Sequence, residues 1–190
     1  MKDLNILFLV VKLLNKNKQV LKHGTRVAKF SCAIAKELKY CDDGIEQICL
    51  AAFTHDIGKI QLPVEIINKP GALDGNELAI IRKHPELGYR LLLDVKLDNI
   101  ASDVALQHHE RLDGSGYPFG LRAKDINPVT RIIAVADVID TMVSPQVYRP
   151  ALSMNEALQE IQQNSGLLYD PEVVASSLIV IGEKGFHFDL

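Results

Sequence analysis

The stretch Thr54-His55-Asp56-Ile57-Gly58-Lys59 sets an imidazole beside a carboxylate at the end of an apolar segment, Ile48-Cys49-Leu50-Ala51-Ala52-Phe53. A carboxylate has two oxygens and can bridge two cations, while a neutral imidazole holds one of them. Gly58 reads as the stop of the helix that carries the pair. Lys59, just past it, is placed to reach an anion bound at such cations. Alone, a His-Asp pair is common in soluble proteins. It gains weight from His23, His84, His108, His109 and Asp137, each of which falls near a predicted buried stripe.

Those stripes are the elements that must bring the groups together. From Gln19 to Leu38 the apolar positions Val20, Val27, Phe30, Ile34 and Leu38 follow helical steps, and His23 lies on the same face. It points inward, as a ligand or as a hydrogen-bonded core histidine. Residues 43–58 read as the next helix, with Ile45, Ile48, Cys49 and Ala52 facing in, so that His55 and Asp56 continue the stripe. A buried carboxylate is costly without a partner; a metal serves, and so would Arg26 or a backbone cap. Asp74 with Glu77 forms a capping box that opens a helix bearing Leu78 and Ile81, which His84 extends until Pro85 interrupts the pattern. His84 is there a site residue or a cap. Leu97, Ile100, Ala101, Val104 and Ala105 define a further helix whose buried face runs out into His108 and His109. Two adjacent inward histidines point to a metal or a catalytic use. Val129, Ile132, Ile133 and Ala136 begin another helix that carries Asp137 inward, with Asp140 one turn on.

Residues 110–120 hold Gly114, Gly116, Gly120 and Pro118, which predicts a loop with demanding backbone angles. It is either a connecting turn or a rim where backbone approaches a ligand, with Tyr117 as a wall. Ser153 with Glu156 is a second capping box, and Asp170-Pro171 reads as the cap and first turn of the last helix. His187 falls in a polar tail and is expected to be exposed. With no alternating strands, the fold expected is an all-α helical bundle whose facing helices build a central site.

His23, His55, Asp56, His84, His108, His109 and Asp137 are too many ligands for one tetrahedral zinc. They suit two octahedral cations with open positions. Mixed imidazole and carboxylate ligation favours iron, manganese or zinc over magnesium or calcium. Two such ions sharing a carboxylate, ~3.5–4 Å apart, are machinery for hydrolysing a phosphoester.

The bulk numbers agree with one domain, or one domain with a small appendage. The chain has 190 residues, 47% of them hydrophobic and 24% charged, with a net charge of -3. That balance excludes a general binder of nucleic-acid polymers. The run Leu4–Leu14 is broken by Asn5 and Lys12, is too short to span a bilayer and has no cleavage site after it. No membrane association is expected. Residues 1–16 read as a packed N-terminal helix or the stub of one leading to an upstream domain. Cys32, Cys41 and Cys49 are odd in number and lack a C-x-x-C spacing, so they read as unpaired apolar residues of a reducing compartment.

The chain resembles the HD-GYP family, a branch of the HD phosphohydrolase superfamily. The resemblance runs from about Gln19 to the last helix. It is carried by His23-Gly24-Thr25-Arg26-Val27-Ala28, His55-Asp56-Ile57-Gly58-Lys59, His84-Pro85, His108-His109-Glu110, Asp113-Gly114-Ser115-Gly116-Tyr117-Pro118, Ala136-Asp137-Val138-Ile139-Asp140 and Tyr148-Arg149. The resemblance implies an all-α phosphodiesterase domain over residues 17–190. Such domains open cyclic di-GMP to linear pGpG or GMP in the bacterial cytoplasm and hold two or three ions, often iron or manganese. It assigns His23, His55, Asp56 and Asp137 to one metal, with Asp56 bridging to a second held by His84, His108 and His109. Lys59 would contact a phosphate oxygen, the loop through Asp113, Gly116 and Tyr117 would shape the nucleotide pocket, and Arg149 would pair with the far phosphate. Two departures stand out. Members with a third metal have a glutamate where this chain has Gln19, so two ions are expected, and Gln146-Val147-Tyr148 stands where many members read arginine-proline-tyrosine. The alternatives are a related hydrolase of mononucleotides, which needs only the His-Asp core, and a non-catalytic cyclic di-GMP sensor. Regulation is expected from an upstream domain or a protein partner.

Overall fold

The computed structural model describes residues 18–97, 99–145 and 149–188. The N-terminal helix expected over 1–16 and the triplet Gln146-Val147-Tyr148 lie outside the described residues. Helix α1 (Lys18–Glu37) buries Val20, Val27, Phe30 and Ile34, the apolar positions its periodicity marks, against α2 (Asp42–Thr54) and α7 (Pro128–Val143). Helix α7 starts from Asn127, whose side chain accepts a hydrogen bond from Val129 N, and from Pro128 in its first turn. It is buried nearly all round, from Val129 to Val143, as befits the central helix of a bundle. The short α3 (Val64–Ile67) and α4 (Gly75–Ile81) lead into α5 (His84–Asp94), which packs on α6 (Asn99–Gln107). Helices α8 (Met154–Gln163) and α9 (Pro171–Gly182) close the bundle, opened by the caps Ser153 and Asp170 that the sequence marks. Among the described residues the extended backbone amounts to isolated bridges such as Asp113–Arg122, and no helix is long and apolar enough to cross a membrane.

Three sequence expectations are corrected. The helix expected over 43–58 ends at Thr54, and Ile57–Gln61 forms a separate 3-10 turn. Gly58 does not serve as a left-handed stop. A Cβ there would lie 2.5 Å from Gly88 N and closer still to His84 O, so glycine is what lets this turn press flat on α5. Helix α4 buries none of its residues, and Leu78 is 40% exposed, so its expected apolar stripe is a surface feature. Finally, Cys32 and Cys49 are joined as a disulfide between α1 and α2, Cα–Cα 5.7 Å, while Cys41 is free and exposed. Their pairing depends on the register of two packed helices, which spacing along the chain does not encode.

Candidate metal centre

The inward groups converge on one carboxylate. Asp56 sits between the end of α2 and the 3-10 turn, where its carbonyl accepts from Lys59 N at 3.0 Å, and its side chain presents its two oxygens to two sides. Oδ2 lies 3.7 Å from His23 Nε2 and 3.6 Å from His55 Nε2. Asp137 on α7 completes that side, with Oδ1 3.0 Å from His23 Nε2 and 3.8 Å from His55 Nε2. Oδ1 of Asp56 lies 3.2 Å from His84 Nε2 and 3.7 Å from His108 Nε2. His84, His108 and His109 bring ligand atoms within 4.8 Å of one another, and so do His23, His55 and Asp137. The other six residues expected from the sequence are therefore gathered, in two groups of three, around Asp56.

Backbone carbonyls set the imidazole orientations. His55 Nδ1 lies 2.6 Å from Ala52 O, His84 Nδ1 2.7 Å from Ile81 O, and His108 Nδ1 3.0 Å from Ala105 O. A carbonyl only accepts, so each Nδ1 carries the hydrogen and each Nε2 turns a bare lone pair to the site. His84 Nε2 and His108 Nε2 then face each other at 3.1 Å, two lone pairs with no proton between them. The buried His55 Nε2 and Asp56 Oδ1 have no hydrogen-bond partner. Opposed lone pairs and an orphaned anionic oxygen are costly in a protein interior and fit cations held between them. The donor set suits iron, manganese or zinc.

The electrostatics point the same way. Burial pushes the His55, His108 and His109 imidazoles down, His109 to about 3, so they are neutral ligands at pH 7. Burial also works to raise Asp56 and Asp137. The Lys59 ammonium overcomes it for Asp56, and His23 for Asp137, leaving both well below the ordinary carboxylate range. His23 differs from its neighbours. Burial disfavours its charge, but hydrogen bonds to Asp137 and Asp140 raise it to about 9. Lys59 reaches back from the 3-10 turn, Nζ 2.5 Å from Asp56 Oδ2.

The glycine-rich loop is built onto this floor. A Cβ on Gly116 would fall 2.5 Å from His109 O and 2.6 Å from Arg111 N, so glycine alone lets the loop lie on the backbone of the histidine pair. The Tyr117 ring stacks on His109, centroids 4.6 Å apart and 24° between planes. Asp113 turns inward on its own loop, Oδ1 accepting from Ser115 N and Oγ. Arg149 donates to the carbonyls of Thr141 and Met142 at the end of α7 and to that of its neighbour Pro150.

Other residues named in the sequence without a site role organise the site. Asp140 Oδ2 lies 2.7 Å from His23 Nδ1 and fixes that ring. Arg26 grips Asp140 with Nε and Nη2 at 2.6 and 2.9 Å, and Nη2 also reaches Ser144 Oγ. The signal was there, since Arg26 and Asp140 each fall three residues after a site residue on a buried face. Glu110 was named only within the His108-His109-Glu110 motif, with no role given to it. It is 2% exposed and accepts from Phe119 N at 2.8 Å and Leu121 N at 2.9 Å.

The HD domain family model matches residues 8–173 of the chain. A cyclic di-GMP phosphodiesterase of Pseudomonas aeruginosa is 36% identical over 179 residues, covering 94% of this chain and 43% of that protein. A cyclic di-GMP phosphodiesterase of Thermotoga maritima is 39% identical over 181 residues, covering 92% of this chain and 49% of that protein. The chain thus spans less than half the length of either relative. The HD domain of the L. monocytogenes phosphodiesterase PgpH, solved in complex with cyclic-di-AMP, superposes with a TM-score of 0.67 at 17% identity, over 96% of this chain and 98% of that one. At that identity the likeness concerns the fold. Matched along most of its length, with the histidine and aspartate motifs in family order, the chain belongs to the HD domain family, in its HD-GYP branch.

Proposed function

We propose that the domain hydrolyses a phosphodiester bond of cyclic di-GMP, giving linear pGpG, with two divalent transition-metal ions, iron or manganese before zinc. One observation carries the reading: a single buried carboxylate, Asp56, divides its two oxygens between two groups of imidazoles. His23, His55 and Asp137 would hold one ion and His84, His108 and His109 the other, with Asp56 shared. When bound, such ions polarise a phosphoryl oxygen and furnish a nucleophile at neutral pH. The chain's own residues do the rest. Carbonyl-oriented imidazoles keep their lone pairs on the site, Asp140 holds His23, and the Lys59 ammonium offsets charge on the phosphate beside Asp56. Tyr117 and the loop from Asp113 to Gly120 wall the nucleotide side. Arg149 contacts the far phosphate only by leaving the carbonyls it now binds.

Both bacterial relatives named above are cyclic di-GMP phosphodiesterases. Their names support the substrate, and a bacterial cytoplasmic setting is part of the same proposal. The test is metal analysis together with chromatography of cyclic di-GMP incubated with the manganese- or iron(II)-loaded protein. Release of pGpG, abolished with loss of metal in Asp56→Asn, is expected. Binding without turnover would mark a sensor, and full activity with unchanged metal in Asp56→Asn would remove that residue from the centre.

A further inference from the structure

Most arginines of the described residues have polar partners. Arg26 is held by Asp140, Arg131 by Asp170, Arg111 by the carbonyls of His108 and Glu110, and Arg149 by those of Thr141, Met142 and Pro150. Arg82 is different. It caps the end of α4, two residues before His84, and is exposed. Among the described residues its guanidinium meets no carboxylate and no carbonyl; its contact is the Tyr117 ring, with Cζ 5.1 Å from the centroid. That same ring stacks on His109, itself packed edge-on against His84 at 5.0 Å between centroids. A cation with unused donors is thus fixed one aromatic ring away from the second histidine group.

We propose that Arg82 is a substrate-anchoring residue whose guanidinium binds the phosphate of the cyclic dinucleotide that is not being cleaved. The inference rests on the proposed function and identifies which basic residue meets the second phosphate. Lys59 stands on Asp56, at the junction of the two ligand groups, and serves the phosphate under attack. A cyclic dinucleotide carries a second phosphate diester across its ring. Arg82 offers the planar fork of donors that suits a phosphate, already oriented by the Tyr117 face. Arg149 would have to abandon its carbonyl partners to do the same.

The test compares two substrates and two variants on the metal-loaded protein. Cyclic di-GMP has the second phosphate; bis(p-nitrophenyl) phosphate, a diester with one phosphate, does not. In Arg82→Ala the ratio of the KM values for the two substrates should rise about 10- to 100-fold, the range a lost charge-assisted hydrogen bond produces. Metal content should stay at the wild-type value, and Arg82→Lys should fall between, keeping the charge without the fork. An unchanged ratio overturns the proposal. So does a parallel loss of metal and of both activities, which would make Arg82 a prop for Tyr117. Equilibrium binding of a non-hydrolysable phosphorothioate analogue of cyclic di-GMP keeps the two readings apart. A wild type that binds it without turning over cyclic di-GMP refutes the hydrolase reading, and the Kd of Arg82→Ala still decides the anchor. A wild type that does not bind it overturns both.

Discussion

Glu110→Gln separates the loop from the metal groups. The native carboxylate accepts Phe119 N at 2.8 Å and Leu121 N at 2.9 Å from a buried position next to His109. Glutamine keeps one acceptor oxygen and turns an NH2 group toward the other N–H. One hydrogen bond to a carboxylate is lost, ~1.5–3 kcal/mol, and the survivor weakens to a neutral bond. The docked loop should therefore lose about 2–4 kcal/mol relative to an undocked one, or about 30- to 700-fold in population. No metal ligand moves, because His108 and His109 precede Glu110 and His108 is held by Val104 and Ala105. Amide exchange at Phe119 and Leu121 should accelerate by that factor, KM should rise steeply, and kcat and metal content should change little. Hydrogen exchange resolved to these amides, with steady-state kinetics on the metal-loaded protein, reads both. Unchanged protection at both amides would refute the clamp, and loss of metal with unchanged exchange would show that Glu110 acts through the histidines instead.

Three further expectations can be checked together. His108→Ala and His109→Ala should each empty the second metal position and stop hydrolysis, while His187→Ala, exposed in the tail, should do neither by elemental analysis and assay; a His187→Ala protein that behaved like the others would displace the site. In the metal-free protein the His23 pKa lies at about 9, above its unfolded value of 6.5. Its contribution to stability is fully present below pH 6.5 and is lost as pH rises through about 9, bounded by about 3 kcal/mol. Denaturant unfolding in chelator should show that decline and His23→Gln should flatten it; a wild-type stability that is level across the window contradicts the His23–Asp137–Asp140 assembly. Gln19, one helical turn before His23, offers a neutral amide where a third ion would need an anionic ligand, so Gln19→Glu should raise metal uptake toward three and increase release of GMP. Three ions in the wild type would sink that argument.

The centre was legible because its residues continue apolar stripes. His23 follows Val20 on α1 and His55 follows Ala52 at the end of α2, so helical periodicity turned them inward, whereas Asp56 lies past the helix end and is buried at its junction with the 3-10 turn. The capping boxes at Asp74 and Ser153 formed as read, being local chemistry complete within four residues. What was not legible depends on surfaces meeting. Gly58 looked like a helix stop, but its role is contact with α5, 26 to 30 residues on. Leu78 sat on a regular stripe, yet α4 buries none of its residues. The Cys32–Cys49 pair and the Glu110 clamp both require knowing which backbone lies opposite, information that periodicity along one element does not carry. Asp140 could be placed on the buried face, but not as the partner that holds His23 and Arg26 together.

The central claim is that Asp56 joins two cations. Anomalous diffraction from crystals of the manganese-loaded protein tests it most directly. Two peaks should appear ~3.5–4 Å apart, one among His23, His55 and Asp137, the other among His84, His108 and His109, with one Asp56 oxygen on each. A single peak, or two peaks without Asp56 between them, would contradict it.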